Sequence, residues 1–408
     1  MKDTVYNNIL NKKTHYIELM YLFLLLTTLV VSFISNTTFM EYIPIKFFNR
    51  INYIVIFFLV VKIYLFDKYN LIELIGITTV IIVSVISWRV TNITSVMIMV
   101  IFILAAKNVH FQKVIRCYFD VNFLMLLLVT SYALVGIIRN LTYLRQGMYR
   151  FSLGIDYPTD YAAYIFYLIL AYVYLNYKKI SFFHYISFFI IGVALYFITN
   201  ARLDVITILL VIPIIIIAKR AERAKDKVSR MIVANFWGLT IILPYVYFLL
   251  TYYFSWSSRA FMKLNTLLSG RLAYGYIAMQ KYPLRLISQR VREQGWGGIA
   301  GLNAFQQNQS NYFFIDSSFI RLLVIYGLIL TCFFMVALLK ISLKGTINHK
   351  YVMPAIILLI TISCLIDQHL MEITFNPFLL AFLATTNTVK KSIANNREEL
   401  ANDDKKNE

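Results

Sequence analysis

The stretch FITNARLDVITILL, residues 197–210, decides how this chain has to fold. Apolar runs lie on both sides of a short polar turn, and the turn carries Arg202 and Asp204. Charged side chains at the edge of such runs are costly in hydrocarbon, and where they occur they usually have a partner or water and serve a function. The pattern predicts two membrane-spanning helices joined by a turn at the membrane surface.

The composition extends this prediction to the whole chain. Of its 408 residues, 60% are hydrophobic and only 14% are charged. Apolar runs of about 18 or more residues are typical of membrane-spanning helices. We therefore predict an all-α polytopic membrane protein with about 12 transmembrane helices. The predicted spans are 17–35, 51–66, 71–88, 92–106, 119–138, 159–177, 182–199, 204–218, 231–253, 315–339, 351–367 and 373–389.

This scheme divides the chain into four parts. Residues 1–253 hold spans one to nine, residues 254–314 form one large loop with an amphipathic helix, residues 315–389 hold spans ten to twelve, and residues 390–408 form a tail. Lysine is concentrated in alternate loops. By the positive-inside rule those loops are cytoplasmic, which places both termini in the cytoplasm of a plasma membrane and the large loop outside. The loop lysines are Lys12, Lys13, Lys178, Lys179, Lys340, Lys344, Lys350, Lys390 and Lys391.

Arginine is distributed in the opposite way to lysine. Its planar guanidinium grips phosphate with two hydrogen bonds and stays charged, so outward arginines indicate an anionic, phosphorylated ligand outside the membrane. The net charge of +19 does not indicate nucleic acid, because the basic residues are split between two membrane faces. The arginines predicted to face outward are Arg50, Arg89, Arg139, Arg145, Arg150, Arg202, Arg259, Arg271, Arg285, Arg290, Arg292 and Arg321.

The large outer loop contains a helical pattern followed by a glycine-rich stretch. In GRLAYGYIAMQKYPLR, residues 270–285, polar and apolar positions recur at helical steps, which predicts an interfacial helix that ends before Pro283. The following segment, RVREQGWGGIAG (290–301), reads as a mobile loop. Residues 303–312 supply polar groups for sugar hydroxyls, and Trp296 is one of several aromatic residues available for stacking.

Four segments occur in an order that resembles a known family. They are YRFSLGIDYPTDYAAY (149–164), NARLD (200–204), LLSGRLAYGYIAMQ (267–280) and IDSSFIRLLVIYGLI (315–329). Together they resemble the bacterial capsule and O-antigen repeat-unit polymerases (Wzy-like), which are related to the O-antigen ligases. The chain departs from the family at residues 157–159, where Tyr-Pro-Thr stands in place of His-Pro-Asn.

The resemblance implies a metal-independent glycosyltransferase that uses no cofactor. It implies transfer of a growing glycan from undecaprenyl diphosphate to a sugar hydroxyl of a second lipid-linked repeat unit, on the outer face of the bacterial plasma membrane. The implied partners are the undecaprenyl-diphosphate-linked oligosaccharide and membrane lipids. A chain-length regulator is a further partner that such a role allows, and nucleic acid is not among them.

The resemblance also assigns roles to individual residues. Arg202 and Arg271 match the two arginines that hold the donor diphosphate in the family, and Arg150 and Arg321 are expected to assist. Asp316 stands where ligases carry a histidine, which makes it the first candidate for the general base. Two alternatives stay open from the residues alone: Arg202 pairs with Asp204, or Asp316 caps the following helix.

A second cluster of polar residues precedes the last predicted span. His369 is the alternative candidate base, or it simply solvates this turn. Scattered outward carboxylates with one histidine make a poor metal site, so no metal is expected. The residues expected to orient the substrate or the arginines are Asp204, Asp156, Ser317, Tyr274 and Glu372.

Two other functions remain alternatives. A glycan ligase of the same superfamily would use the same donor chemistry with a different acceptor. A lipid-linked oligosaccharide flippase or transporter would show internal repeats and spans interrupted by Gly or Pro. With 14 Gly and 7 Pro, the sequence favours this last function less.

Overall fold

A computed structural model describes residues 2–145, 147–223, 226–307 and 312–386, and its folded part is almost entirely helical. The predicted cytoplasmic tail, residues 390–408, lies outside the described residues. The helices are α1 (Lys2–Ser35), α2 (Ile45–Val61), α3 (Leu71–Thr91), α4 (Ser95–Ala105), α5 (Phe111–Val135), α6 (Pro158–Asn176), α7 (Phe182–Thr199), α8 (Arg202–Glu222), α9 (Lys227–Ala234), α10 (Phe236–Tyr252), α11 (Arg259–Leu267), α12 (Arg271–Lys281), α13 (Gly298–Gln306), α14 (Ser318–Arg321), α15 (Gly327–Ile347) and α16 (Val352–Cys364).

Short elements join these helices. An antiparallel hairpin of β1 (Thr142–Arg145) and β2 (Met148–Phe151) connects α5 to α6. A π-helical turn, Lys62–Phe66, extends α2, and another, Leu322–Tyr326, joins α14 to α15. The 3-10 helices are Thr38–Glu41, Tyr177–Lys179, His369–Met371 and Pro377–Phe382.

Six of the described helical segments are long and apolar enough to cross a membrane, and a seventh span is formed if α9 and α10, bent by 46°, count as one. The outer surface of these helices agrees with this assignment. Large apolar side chains point away from the protein, as in Ile72, which is 83% exposed, and Phe57, which is 63% exposed. Exposed apolar patches of this extent mark contact with lipid or a partner rather than with water. The chain is a helical membrane protein.

Two predicted spans correspond to helices that are too short to cross alone. Helix α4 has 11 residues and α16 has 13, so at 1.5 Å per residue they measure about 16 Å and about 20 Å, against about 30 Å of hydrocarbon. Nearly all of their side chains are buried. Helix α16 packs among α6, α8, α10 and α15, so it forms part of the protein interior rather than a lipid-facing span.

The twelfth predicted span, residues 373–389, is not an α-helix over its described part. The chain there makes the 3-10 helix Pro377–Phe382, which packs against α4, α5 and α15. Its apolar residues are buried by protein. An apolar run in a sequence reports burial, and it does not tell whether lipid or other helices cover the residues.

The segment between α10 and α14 carries three short helices, α11, α12 and α13. The predicted helix is confirmed as α12, which begins at Arg271 and ends at Lys281, before Pro283. The glycine-rich stretch is more ordered than predicted, because α13 begins within it at Gly298. Part of the predicted polar surface, residues 308–311, lies outside the described part of the chain.

A buried ion pair near the end of α2 provides a test of this packing. Lys62 Nζ lies 2.8 Å from an Asp67 carboxylate oxygen, and the two side chains are 0% and 2% exposed. Removing one partner of a buried pair leaves an uncompensated charge and typically costs about 3–5 kcal/mol. We expect Lys62→Ala to lower the free energy of unfolding of the detergent-solubilised protein by about this amount.

The matched control for this variant is Lys68→Ala, because Lys68 is exposed on the adjacent turn. Exposed substitutions usually change stability by less than about 0.5 kcal/mol. Equal unfolding midpoints for Lys62→Ala and Lys68→Ala would contradict the buried pairing.

Candidate functional site

A cavity of about 720 Å³ lies where the N-terminal ends of α6, α8 and α12 meet. The β-hairpin, the segment around Trp296 and the residues just before α14 complete its walls. Seven of the site residues predicted from sequence line this cavity, although they are spread over about 170 positions of the chain. They are Arg150, Asp156, Arg202, Asp204, Arg271, Tyr274 and Asp316.

The three helix ends at the cavity share one property. Helices α6, α8 and α12 have no side-chain hydrogen bond at their N-caps. The first N–H groups of a helix have no intrahelical acceptor and carry the positive end of the helix dipole. At α12 the cap is Gly270, with φ of 88°, a left-handed conformation that glycine adopts without strain. Three uncapped N-termini around one cavity favour an anionic ligand.

Arg271 is held at the first residue of α12 by a network of acceptors. Its Nε lies 3.8 Å from Asp316 Oδ2, and a terminal nitrogen lies 3.6 Å from Asp367 Oδ1. Nε also donates to the carbonyl oxygen of Ile366. The side chain is only 11% exposed, so these contacts fix its orientation toward the cavity. Asp367 in turn interacts electrostatically with the Asp204 carboxyl group.

Asp316 lines the cavity and does not cap the next helix. Helix α14 begins at Ser318 with Ser317 as its N-cap, and no side chain caps it. Burial raises the pKa of the Asp316 carboxyl to about 6, although the Arg271 guanidinium acts in the opposite direction. The sequence allowed two roles for Asp316, a general base or the cap of the following helix, and the helix cap is wrong.

Three arginines face the cavity without a carboxylate partner among the described residues. Arg202 and Arg145 are exposed and make no ion pair there, so the alternative role of Arg202, a pair with Asp204, is not formed. Arg150 is buried. Its Nε donates to the Thr199 carbonyl oxygen at 2.8 Å, and its guanidinium lies 5.3 Å from the centre of the Tyr157 ring. Arg150 thereby ties the hairpin to the end of α7.

Arg321 does not line the cavity, contrary to the expectation that it binds the ligand. A guanidinium nitrogen lies 2.7 Å from Glu293 Oε2, and the guanidinium carbon lies 5.0 Å from the centre of the Phe314 ring. Glu293 also accepts a hydrogen bond from the Ile315 amide at 3.0 Å. This pair fixes the segment before α14 to the preceding loop. Ser317 is buried beside it and does not reach the cavity either.

His369 is buried behind the cavity wall, with 2% of its side chain exposed. Its Nε2 lies 3.4 Å from Asp160, which lines the cavity, and its Nδ1 lies 3.5 Å from Glu372. The imidazole stacks on Phe375 at 3.8 Å. Burial disfavours the charged imidazole, but the negative charges of Asp160 and Glu372 stabilise it, outweigh the effect of burial and raise the pKa of His369 well above its ordinary value. His369 and Glu372 therefore support the wall and do not face a ligand.

Aromatic rings form the remaining wall. Tyr312 contacts Trp296 at 4.2 Å and Tyr274 at 5.0 Å between ring centres. Sequence reasoning singled out Trp296 and Tyr274 but missed Tyr157, which lines the cavity and contacts Arg150.

The fold and cavity define a helical membrane protein with a polar, arginine- and aspartate-lined cavity at one end of its helices. Comparison of the chain with family models, with characterised proteins and with solved structures finds no match. The function therefore has to be argued from the site itself.

The buried histidine predicts how stability depends on pH. Because the pKa of His369 is higher in the folded protein than in the unfolded chain, its stabilising effect is complete below about pH 6.5 and is lost as the pH rises through the folded value. We expect the unfolding temperature to fall as the pH rises above about 6.5, and His369→Gln to be less stable at low pH and less sensitive to pH.

The control for this measurement is His15→Gln, because His15 is exposed. Its unfolding temperature should follow that of the unaltered protein at every pH. A His369→Gln protein with the full pH dependence would show that another group causes it.

Proposed function

We propose that this chain is a polysaccharide repeat-unit polymerase of the bacterial plasma membrane. It transfers the growing glycan from undecaprenyl diphosphate to a sugar hydroxyl of a lipid-linked repeat unit. Its partners are this oligosaccharide, the surrounding lipids and, where present, a chain-length regulator. The fold contributes a membrane environment for polyprenyl chains, and the cavity contributes the groups that the transfer needs.

One observation carries the proposal: Arg145, Arg150 and Arg202 face one cavity, and none of them has a carboxylate partner in the described parts of the chain. Arg145 and Arg202 are exposed, so their guanidinium groups are available to an anionic ligand, whereas Arg150 is buried and gains from a negatively charged ligand. Arginine matches phosphate oxygens with two parallel hydrogen bonds. A diphosphate presents several such oxygens close together, so it fits this arrangement.

The transfer reaction needs stabilisation of its leaving group. As the glycosidic bond breaks, negative charge accumulates on the diphosphate. Fixed cations in a site that excludes most water stabilise such a charge by a few kcal/mol each. Arg271 is the best oriented of the cavity arginines because Asp316, Asp367 and the Ile366 carbonyl hold it. No metal or nucleotide is required for this chemistry.

The orientation of the cavity in the membrane follows from charge. Helix α6 begins at the cavity and ends beside the turn of Lys178 and Lys179, and α8 begins at the cavity and carries Lys219 and Arg220 in its last turn. The positive-inside rule places those turns in the cytoplasm and the cavity on the outer face. We propose that α6 and α8 cross the membrane although their ends carry charged residues. By the same rule, Lys12, Lys13, Lys390 and Lys391 place both termini in the cytoplasm, and residues 254–314 lie outside with the cavity.

A glycan ligase remains the second candidate, because it would use the same arginines and differ only in its acceptor. Deletion of the gene distinguishes the two. Loss of a polymerase leaves single repeat units on the lipid, whereas loss of a ligase leaves finished chains on it. A flippase or transporter would instead leave its lipid-linked substrate on the cytoplasmic face.

The arginine assignment predicts the effect of two substitutions. Arg202→Ala and Arg271→Ala should each lower chain extension by about 100-fold or more, since removal of one group that stabilises a developing anion has effects of this size. The products of complemented deletion cells are compared on polysaccharide gels at equal protein levels. The control is Arg285→Ala, which removes an exposed arginine from the same segment away from the cavity. Normal polymer from Arg202→Ala or Arg271→Ala would refute the assignment.

Reporter fusions test the orientation. Alkaline phosphatase fused after Phe305 should be active, and the same enzyme fused after Glu222 should be inactive, with green fluorescent protein giving the reverse pattern. Cytoplasmic exposure of residues near 305 would place the cavity away from its proposed substrate and exclude a polymerase of this kind.

A further inference from the structure

The carboxylates that line the cavity differ in their partners. Asp316 lies 3.8 Å from Arg271, and Asp160 lies 3.4 Å from His369. Asp204 interacts with the Asp367 carboxyl group, which lies behind the cavity wall. All three are engaged in holding the site together, so none of them is free to bind a ligand without breaking an existing contact.

Asp156 is the exception. Its carboxylate lines the cavity and makes no hydrogen bond or ion pair to any residue that the structure describes. An ionised carboxylate can accept several hydrogen bonds and is costly to leave partly buried without a donor. The position is therefore suited to a ligand that brings its own donors, such as the hydroxyl groups of a sugar.

The backbone of Asp156 is fixed from three sides. Its amide donates to the Asn36 carbonyl oxygen at 3.0 Å, and its own carbonyl oxygen accepts from the Gly298 amide at 2.9 Å and from the Tyr143 hydroxyl at 3.3 Å. Gly298 has φ of 68°, and a Cβ atom there would lie 3.8 Å from Asp156 Oδ1. A glycine at this point tolerates the left-handed backbone and keeps the approach to the carboxylate open.

Tyr143 also links Asp156 to Trp296. Its hydroxyl lies 2.7 Å from the Trp296 carbonyl oxygen and 3.3 Å from that of Asp156. Trp296 and Tyr157 line the same cavity as Asp156. An aromatic face beside a fixed polar acceptor is the arrangement that binds an amphipathic ligand such as a sugar ring. The cavity thus has a second recognition region besides its arginines.

We propose that Asp156, Tyr157 and Trp296 form the acceptor-sugar subsite, and that Asp156 is the base for the acceptor hydroxyl. This inference rests on the proposed function. The acceptor oxygen forms a bond to the anomeric carbon of the donor glycan as the bond from that carbon to the diphosphate oxygen breaks. The electron pair leaves with undecaprenyl diphosphate, the hydroxyl proton passes to Asp156, and water later removes it. Asp316 is then a positioning residue for Arg271 rather than the base.

The electrostatic surroundings suit Asp156 to this task. Burial and the neighbouring Asp160 carboxylate raise the pKa of Asp156 to about 7, near the value at which a base is most effective at neutral pH. The ionised form is the active one, so the transfer rate should rise with pH up to about 7 and level off above it. The other charged groups lining the same cavity are Asp160, Asp204, Asp316, Arg145, Arg150, Arg202 and Arg271.

The test compares Asp156→Asn with the unaltered full-length protein in liposomes. Lipid-linked repeat units extracted from the deletion strain serve as substrate, and undecaprenyl diphosphate alone serves as the probe of the arginine region. We expect Asp156→Asn to bind undecaprenyl diphosphate within about twofold of normal, while chain extension falls by about 100-fold or more and no longer rises toward pH 7. Asp156→Glu should restore part of the rate together with the pH dependence.

The matched control is Asp120→Asn, which makes the same chemical change at an exposed position of α5 outside the cavity and should behave normally. Normal extension by Asp156→Asn, or loss of its undecaprenyl diphosphate binding, would overturn the inference. So would a rate of the unaltered protein that is flat between about pH 5.5 and about pH 8, a result that needs no variant to fold. These outcomes leave the proposed function standing, whereas normal extension by the Arg202 and Arg271 variants would end both.

Discussion

The site depends on the two ion pairs and the hydrogen bond that the buried Arg271 guanidinium makes. Through Asp316, Asp367 and the Ile366 carbonyl it joins the start of α12 to the residue before α14 and to the turn after α16. Removing a cation from water is costly, and several acceptors must compensate for it. The structure supplies them from two separate segments, so the ion pairing also closes the loop segment over the membrane helices. A site of this kind is rigid before any ligand arrives, which lowers the entropic cost of binding.

Much of the outer architecture could be predicted from sequence because its signals are local. The polar turn at residues 200–204, the start of α12 at Arg271 and its end before Pro283 each follow from neighbouring residue types. The number of membrane crossings could not be settled in this way. Helix α4 and the 3-10 helix Pro377–Phe382 are as apolar as a span, yet protein covers them, and covering by protein depends on contacts between distant segments.

The same limit explains why some of the predicted site residues line the cavity and others do not. Arg202 and Arg271 each open a helix, and the N-terminus of a helix at a surface turn is a position that sequence can identify. Arg321 lies on a comparable stretch, but its partner Glu293 stands 28 positions earlier in a loop of no regular pattern. His369 likewise depends on Asp160, which is far away in the sequence. Pairing between distant charges decides whether a charged residue is structural or free to bind, and only the folded chain reveals it.

Formal charge alone would not locate the function of this cavity, because four arginines and four aspartates line it and their charges cancel. The ion pairs show which of these eight charged groups are already engaged. The Asp316 carboxylate is held by Arg271 and the Asp160 carboxylate by His369, so these two carboxylates have little capacity left for a ligand. Among the described residues, Arg145, Arg150 and Arg202 have no carboxylate partner, and the Asp156 carboxylate has no hydrogen-bond donor or ion-pair partner. Water or a ligand can complete the charges of these four side chains. A ligand that is anionic at one end and rich in hydroxyl donors at the other satisfies both sets, and a glycan carried on a diphosphate has this composition.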